Sequence, residues 1–237
     1  MHCHVLPGVD DGPRDELQAM ALLRAYVEDG VGHVVLTPHL WVGQFVNTRS
    51  MNQAALQQLQ RSVTQLGLPL TLSVAGEVRL DEHIPALLAQ GELPLLGEFE
   101  GYRHLLLEMP DSHVPVGADK LVKWLLAQGI RPVLAHPERN RAIRDDPRKA
   151  QPLLALGCKM QLTAGSVLGY FGALVMRAAH QLLAHHCIDA IASDAHNVST
   201  RRPCMQAARQ WLVQHHGEDM AQRLTHTGPA NLCGISL

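Results

Sequence analysis

The sequence predicts an α/β fold in which short parallel strands alternate with helices, as in a β/α barrel. Apolar runs containing β-branched residues alternate with helical patterns along most of the chain. Glycine follows many of the helical patterns, as expected of a residue that ends helices. Histidines and carboxylates recur at the ends of the apolar runs. This favours a barrel over a doubly wound sheet, because barrel enzymes place their chemistry at strand ends.

The individual elements follow from the periodicity of the apolar residues. Short runs rich in Val, Ile and Leu predict strands, and these lie at 33–37, 70–75, 104–108, 131–135, 159–162 and 189–192. Longer stretches with apolar residues three and four positions apart predict helices, and these lie at 13–29, 49–66, 82–90, 116–128, 147–156, 170–186 and 203–216. Helices therefore separate most of the predicted strands.

Composition narrows the class of protein. The chain has 237 residues, of which 46% are hydrophobic and 18% charged, and no linker or repeat divides it, so we expect one domain over residues 1–237. The net charge of −2 gives no support to nucleic-acid binding. The sequence also lacks an apolar run of membrane-spanning length and a signal-peptide pattern. Five scattered cysteines without a Cys-x-x-Cys pair indicate reduced thiols, and we expect a cytoplasmic protein.

The candidate metal ligands are histidines and carboxylates near the ends of the predicted strands. His2 and His4 alternate along an extended segment and therefore point to one face. The other candidates are Asp11, His39, Glu77, Glu108, His136, Asp194 and His196. Taken alone, Asp10-Asp11-Gly12 is typical of a turn or a helix cap, and a single Glu after a strand is ordinarily an exposed end. Recurrence at strand after strand favours a metal cluster.

The ligand chemistry predicts several divalent ions. Imidazole and carboxylate ligands together suit Mn, Fe or Zn better than Ca or a thiolate site. Five histidines and four carboxylates exceed what one or two ions need, so we expect three ions, and we expect the other histidines to be surface or packing residues. Three divalent ions carry six positive charges, and the four carboxylates carry four negative charges, which leaves two positive charges uncompensated. The excess favours an anionic ligand such as a phosphate dianion, hydrolysed by metal-activated water.

Two arginines and one cysteine complete the candidate site. Arg139 and Arg201 follow candidate ligands closely, and beside a cationic phosphate site a bidentate guanidinium is a better interpretation than a surface salt bridge. Cys3 raises the alternative of a cysteine-dependent tyrosine phosphatase. Such enzymes need Arg six residues after the cysteine, where this chain has Val9. Because a thiolate without a cationic cradle is unsupported, Cys3 is interpreted as a small spacer.

These segments together resemble the PHP (polymerase and histidinol phosphatase) superfamily. They are more closely similar to the bacterial manganese-dependent protein-tyrosine phosphatases of capsule and exopolysaccharide clusters. The resemblance spans the chain and rests on His2-Cys3-His4, Asp10-Asp11-Gly12-Pro13, Thr37-Pro38-His39, Gly76-Glu77, Ala135-His136-Pro137-Glu138-Arg139 and Ala192-Ser193-Asp194-Ala195-His196-Asn197. It implies a distorted PHP-type barrel, similar to a TIM barrel, with a trinuclear metal site.

The resemblance also implies how the ligands divide among the ions. The first ion would be bound by His2, His4, Glu77 and Asp194. The second would be bound by Glu77, Glu108 and His136. The third would be bound by Asp11, His39 and His196, with Asp11 chosen over Asp10. Manganese is implied, with iron or zinc as alternatives, and Arg139 and Arg201 match positions that hold the phosphate. Family members carry several residues before the His-x-His pair. Here only Met1 precedes it, which predicts a very short first strand or a natural start further upstream.

Three functional hypotheses follow. The first is a protein-tyrosine phosphatase acting on the tyrosine-rich tail of a polysaccharide-assembly kinase, without nucleic-acid binding or membrane insertion. The second is a small-molecule phosphoesterase of the histidinol-phosphatase type. The third is a non-catalytic metal-binding regulator, which the complete set of ligand residues disfavours. Four aromatic residues are either a rim of the substrate pocket or packing residues: Trp41, Phe45, Tyr170 and Phe171.

Overall fold

The computed structural model describes residues 1–236 and contains two compact units. The first comprises residues 1–95 with 193–206, and the second comprises residues 96–192 with the chain from Ala207 onward. Both units combine helices with parallel strands, which confirms the predicted α/β class. The expectation of a single domain stays a prediction.

The first unit contains two pairs of parallel strands and three helices. Its strands are β1 (His33–Leu36), β2 (His39–Leu40), β3 (Thr71–Val74) and β4 (Glu77–Arg79). Its helices are α1 (Glu16–Glu28), α2 (Arg49–Gln65) and α3 (Ile84–Ala89). Strand β1 pairs with β3, and β2 pairs with β4. The apolar pattern predicted β1 and β3 but not β2 and β4, because these two strands are too short to show a periodicity.

The N-terminal segment lies beside the segment around Ala195. Cys3 forms a single parallel bridge with Ala195, and the His4 N–H donates to the Ala195 carbonyl at 2.9 Å. On the other side, the Thr37 N–H donates to the Cys3 carbonyl at 2.8 Å. The first strand is thus reduced to one bridge, which agrees with the expected very short strand.

Helix α1 illustrates how the core of this unit forms. Asp15 caps its first turn, where the carboxylate accepts a hydrogen bond from the Gln18 N–H. Ala19, Leu22 and Tyr26 recur at helical spacing and are buried. Burial of one such large apolar side chain stabilises the fold by about 1.5–3 kcal/mol. The same core includes Cys3, so the apolar cluster reaches the segment that carries the first two histidines.

The second unit is built around a run of parallel strands. Its strands are β5 (Glu98–Phe99), β6 (Tyr102–Glu108), β7 (Ile130–Ala135), β8 (Lys159–Thr163) and β9 (Ala190–Ala192). The remaining α-helices of the chain are α4 (Ala118–Ala127), α5 (Arg141–Asp145), α6 (Gln151–Ala155), α7 (Ala164–Val167), α8 (Ala173–Ala184), α9 (Met205–His216), α10 (Glu218–Gln222) and α11 (Gly228–Leu232). Strands β6 to β9 pair in parallel and in sequence order, while β5 pairs with β6 antiparallel.

Some elements differ from the prediction. The helix expected at 147–156 is a 3-10 turn (Pro147–Ala150) followed by α6. The chain from Glu218 onward forms α10, a π-helical turn (Arg223–Thr227) and α11, for which no pattern was recognised. These segments are too short to show a helical repeat. Within residues 1–236, no helix is both long and apolar enough to span a bilayer.

His104 is a buried imidazole in the second unit. It lies in β6 and has no exposed surface, and neither ring nitrogen has a hydrogen-bond partner among the described residues. Burial, followed by repulsion from Arg131, lowers its pKa from 6.5 to about 4. The folded protein therefore favours the neutral imidazole, whereas the unfolded chain takes up a proton near pH 6.5.

The free energy of unfolding should therefore fall with acidification between pH 6.5 and 4. In this window the unfolded state binds more protons than the folded state, so stability rises with pH, by at most about 1.4 kcal/mol per pH unit from this one group. Urea unfolding of His104→Leu should show a shallower loss of stability between pH 7 and 5 than the parent protein. His226→Leu, at an exposed histidine, is the control. Equal slopes for His104→Leu and the parent would contradict the assignment.

Candidate metal centre

Seven of the predicted ligands lie in the first unit, and the structure brings them together. Six of them form two groups that share His4, one of His2, His4 and Glu77, and the other of His4, Asp11, His39 and His196. Within each group, one ligand atom from every residue lies within 4.8 Å of the others. Asp194 lies beside the first group, because its Oδ1 is 3.5 Å from the Nε2 atoms of both His2 and His4.

Backbone pairing explains why residues so distant in sequence meet. His2 and His4 point to one side of the extended N-terminal segment, and both are fully buried. The Asp194 N–H donates to the His2 carbonyl at 2.9 Å, and this hydrogen bond holds the segment that contains Asp194 against the first residues of the chain. His39 and Glu77 open β2 and β4 and are partners in register, so their side chains are neighbours.

The separations between ligand atoms fit a divalent metal ion. The Nε2 atoms of His2 and His4 are 3.3 Å apart, and they lie 3.3 and 3.4 Å from Oε2 of Glu77. Two ligands that bind one ion at about 2.1 Å with a tetrahedral angle stand about 3.4 Å apart. The same distance to a carboxylate oxygen is long for a charge-assisted hydrogen bond. These separations therefore match ligands around an ion better than direct hydrogen bonds.

Asp10 orients one of the ligands and is not a member of either group. Its Oδ2 lies 2.7 Å from Nδ1 of His4 and accepts the His39 N–H at 3.1 Å. A carboxylate on Nδ1 holds a proton on that nitrogen, so Nε2 of His4, which faces Glu77, is the atom that would give up its proton to become a metal ligand. Asp11 instead places Oδ1 3.1 Å from Nε2 of His196 and 3.5 Å from Nε2 of His39. The two adjacent aspartates therefore take different positions.

Two glycines permit the close approach of backbone segments at the centre. A Cβ atom on Gly12 would lie 2.6 Å from the His4 carbonyl oxygen, so a side chain there would displace the Asp10-Asp11 turn. A Cβ atom on Gly76 would lie 2.5 Å from Cγ of Pro94, directly before Glu77. The Asp-Asp-Gly and Gly-Glu motifs therefore combine a ligand with the small residue that lets it reach the cluster.

Arg201 contacts the carboxylates of the cluster. Its Nη2 donates to Oδ2 of Asp194 at 2.8 Å, and its Nη1 is 3.8 Å from Oδ2 of Asp11. Asp194 has a φ of +50°, an uncommon conformation for a residue with a side chain. The conformation is held by its N–H bond to His2 and by the ion pair with Arg201. Arg201 therefore positions Asp194, a role that the sequence did not indicate.

The concentration of charge shifts the acidity of several groups. Burial opposes protonation of His4, but its contacts with Asp10, Asp194 and Glu77 outweigh burial and raise its pKa well above 6.5. Burial, followed by repulsion from His4, lowers the pKa of His196 to about 4. Burial would raise the pKa of Asp11, but its hydrogen bond and charge contact with His196 lower it below its ordinary value. The groups are therefore strongly coupled.

Cys3 is a buried thiol within the first unit. Burial raises its pKa to about 11, so it is protonated at neutral pH. Its Sγ contacts the Val35 carbonyl at 3.4 Å and contributes to the apolar core. These features support the interpretation of Cys3 as a spacer between His2 and His4, and they disfavour a thiolate nucleophile.

The remaining predicted site residues belong to the second unit. Glu108 is the last residue of β6, and His136 directly follows β7 with a φ of +30°. Arg139 ends the 3-10 turn Pro137–Arg139, and its Cζ lies 5.2 Å above the ring of Phe171. Glu108 and His136 lie at the end of a strand or directly after one, as the sequence indicated, and Arg139 lies in the turn that follows His136.

Sequence reasoning did not single out Glu138 as a functional residue. This carboxyl group is completely buried in the second unit, and its Oε1 accepts the Thr163 N–H at 2.9 Å. Burial, the largest cause, raises its pKa. Its place in the sequence beside His136 was the available signal, and the hydrogen bond indicates that it fixes the turn that carries His136 and Arg139.

Comparison with known sequences gives relatives of nearly the same length. Over 225 residues the chain is 34% identical to tyrosine-protein phosphatase YwqE of Bacillus subtilis. The aligned region covers 95% of this chain and 87% of YwqE. Over 239 residues it is 26% identical to tyrosine-protein phosphatase CpsB of Streptococcus pneumoniae. That aligned region covers 98% of this chain and 96% of CpsB.

Comparison with solved structures supports the same relationship. The chain matches a crystal structure from work on YwqE of Bacillus subtilis and CpsB of Streptococcus pneumoniae, described as unique metal-dependent tyrosine phosphatases. The TM-score is 0.91 at 33% identity, covering all of this chain and 94% of that one. The organophosphorus hydrolase of Deinococcus radiodurans matches with a TM-score of 0.56 at 15% identity, over 98% of this chain and 91% of that one, a likeness of fold alone. A family model for capsular polysaccharide synthesis proteins CpsB/CapC matches residues 1–233, and the chain therefore belongs to the CpsB/CapC family.

Proposed function

We propose that this chain is a metal-dependent protein-tyrosine phosphatase that hydrolyses phosphotyrosine. The observation that carries the proposal is the buried cluster in which His2, His4 and Glu77 place ligand atoms 3.3–3.4 Å apart. Its relatives of nearly equal length are named tyrosine-protein phosphatases, one with a structure described as metal-dependent. Hydrolysis of a phosphate monoester is the reaction that suits several divalent ions facing an anionic substrate.

The centre is proposed to hold three divalent ions, most simply manganese, with iron or zinc as alternatives. Two ions are supported by the two groups, with His4 assigned to the first ion, because Asp10 holds its Nδ1 and only Nε2 can bind a metal. The third, assigned to Glu77, Glu108 and His136, rests on the resemblance of the strand-end motifs to those of the PHP superfamily. When bound, such ions supply an activated water and neutralise charge on the phosphate. The mixed imidazole and carboxylate donors suit these metals.

The side chains are proposed to divide the remaining work. Asp10 keeps Nε2 of His4 available as a ligand. Arg201 stands against Asp194 and Asp11 at the edge of the cluster, where its guanidinium is placed to attract a phosphate dianion. Arg139 is proposed as the second phosphate-holding residue, steadied by its contact with the ring of Phe171.

The proposed substrate is the phosphotyrosyl tail of a tyrosine kinase that controls capsule or exopolysaccharide assembly, and the proposed location is the cytoplasm. Membership in a capsular polysaccharide synthesis family supports a role in capsule or exopolysaccharide assembly. The net charge of −2 gives no reason to expect nucleic acid as a partner.

The substrate class can be tested with four phosphate esters and the manganese-loaded protein. We expect kcat/KM to be highest for a phosphotyrosyl peptide, above phosphoseryl peptide, histidinol phosphate and p-nitrophenyl phosphate. Aryl phosphates carry a better leaving group than alkyl phosphates, so p-nitrophenyl phosphate controls for intrinsic reactivity. A preference for histidinol phosphate would assign the chain to small-molecule chemistry and refute the proposed function.

Arg139→Ala should separate phosphate binding from metal binding. We expect unchanged metal content and a kcat/KM for phosphotyrosyl peptide lower by about 10–100-fold, which corresponds to about 1.4–2.7 kcal/mol of lost transition-state stabilisation. Arg148→Ala removes an arginine whose side chain is 81% exposed and serves as the matched control. Kinetics of Arg139→Ala that match this control would show that Arg139 does not hold the phosphate.

A further inference from the structure

Asn197 ends the sequence motif that contains Asp194 and His196, but it is not a predicted metal ligand. It begins a segment, residues 197–201, that forms no helix or strand and connects His196 with the region before α9. The segment ends at Arg201, which contacts the carboxylates of the cluster. Because regular secondary structure does not support this segment, the position of Arg201 depends on the hydrogen bonds that shape it.

The side-chain oxygen of Asn197 holds the segment together. Its Oδ1 accepts the backbone N–H groups of Ser199, Thr200 and Arg201, at 3.0, 2.9 and 3.0 Å. The hydroxyl of Ser199 also donates to it, at 3.0 Å. Asparagine stabilises turns in this way, because its short side chain reaches backbone N–H groups a few residues ahead. One substitution at Asn197 therefore removes the acceptor of three consecutive backbone donors, of which the last belongs to Arg201.

The segment is also closed onto the predicted metal ligand His196. The carbonyl oxygen of Arg201 accepts the N–H of His196 at 2.9 Å and the N–H of Asn197 at 3.3 Å. Both backbone polar groups of Arg201 are thus bonded within the segment, the N–H to the Asn197 side chain and the carbonyl to the backbone that carries His196. The backbone of Arg201 is therefore held at a fixed position beside the cluster.

The guanidinium of Arg201 retains a donor that an anion could use. Its Nη2 donates to Oδ2 of Asp194 at 2.8 Å. Its Nε is buried and has no hydrogen-bond partner among the residues that the structure describes. A buried N–H without an acceptor costs free energy, which an oxygen atom of a bound phosphate group would recover. The side chain that the segment presents is therefore suited to bind phosphate while it remains paired with Asp194.

We propose that Asn197 is a positioning residue, which orders the guanidinium of Arg201 before a phosphate group binds. The proposal rests on the proposed function, because it takes Arg201 as a group that holds the phosphate. Asn197 acts through Arg201 and needs no contact with the phosphate itself. An ordered guanidinium loses less side-chain entropy on binding than a mobile one. Removal of the Asn197 side chain should therefore weaken phosphate binding although every group that contacts phosphate is still present.

The order of the guanidinium can be measured directly by nitrogen-15 NMR of the zinc-loaded protein, since zinc is not paramagnetic. The readout is the heteronuclear NOE of the Arg201 Nε–H group, which is assigned as the signal that is missing from Arg201→Gln. It should be high in the parent protein and fall in Asn197→Ala, because the side chain gains motion on the picosecond-to-nanosecond timescale. Asn197→Asp should keep it high, because a carboxylate of the same reach accepts the same N–H groups.

Calorimetric titration with inorganic phosphate measures binding without turnover. We expect Asn197→Ala to weaken the affinity of the zinc-loaded protein for phosphate by roughly three- to tenfold, as expected when a flexible side chain must be immobilised on binding. Val198→Ala, at a residue of the same segment that is 52% exposed, is the matched control and should bind like the parent. In the Arg201→Gln background, Asn197→Ala should cause no further loss, because a positioning residue acts only through the residue that it holds.

Elemental analysis of each variant shows whether the metal centre is intact. With intact metal content, the proposal is overturned if Asn197→Ala leaves the NOE or the phosphate affinity unchanged, or if its effect adds in full to that of Arg201→Gln. If Asn197→Ala loses metal, Asn197→Ser takes its place under the same criteria, since its shorter side chain cannot reach all three N–H groups. Failure of the proposed function would look different, because the manganese-loaded parent would then not hydrolyse a phosphotyrosyl peptide while the NOE of Arg201 still depended on Asn197.

Discussion

The first unit depends on keeping the buried Nε2 atoms of His2 and His4 within 3.5 Å of carboxylate oxygens of Glu77 and Asp194. His2, His4 and Glu77 are completely buried, and Asp194 is nearly so. Removing charged groups from water costs several kcal/mol each unless partners compensate. Within the chain, Arg201 and the imidazoles provide part of that compensation, and divalent ions would provide the rest. The need to satisfy this charge explains why backbone segments distant in sequence are joined so tightly here.

The support for the cluster is mainly backbone geometry. The N-terminal segment is hydrogen-bonded to Ala195 on one side and to Thr37 on the other, so the residues that carry His2 and His4 have little freedom. Asp10 then sets the orientation of the His4 ring. Such pre-organisation matters for a phosphatase, because groups that must stabilise developing charge work best when they need not move during the reaction. The same tight backbone packing explains why Gly12 and Gly76 lie next to ligands in the sequence, because a Cβ atom at either position would collide with a neighbouring segment.

Much of this could be predicted from the sequence, because parallel strands bring their ends together wherever they lie in the chain. The longer strands and helices and the grouping of seven ligands follow from that rule. The short strands β2 and β4 could not be predicted, since two or three residues show no periodicity. The different positions of Asp10 and Asp11 depend on the turn that Gly12 permits, which no spacing rule gives. The ion pair of Arg201 with Asp194 likewise depends on a left-handed residue, which only the three-dimensional structure reveals.

The central claim is that the cluster binds divalent ions, and metal content measured together with thermal stability tests it most directly. Protein treated with chelator and dialysed should bind manganese up to three ions per chain by elemental analysis. Its unfolding temperature should rise as metal is added, because ligands that bind only the folded state stabilise it. Glu77→Gln, which alters a ligand common to two of the proposed ions, should bind fewer ions and show a smaller rise. A parent protein that binds at most one ion, with no change in unfolding temperature, would contradict this account.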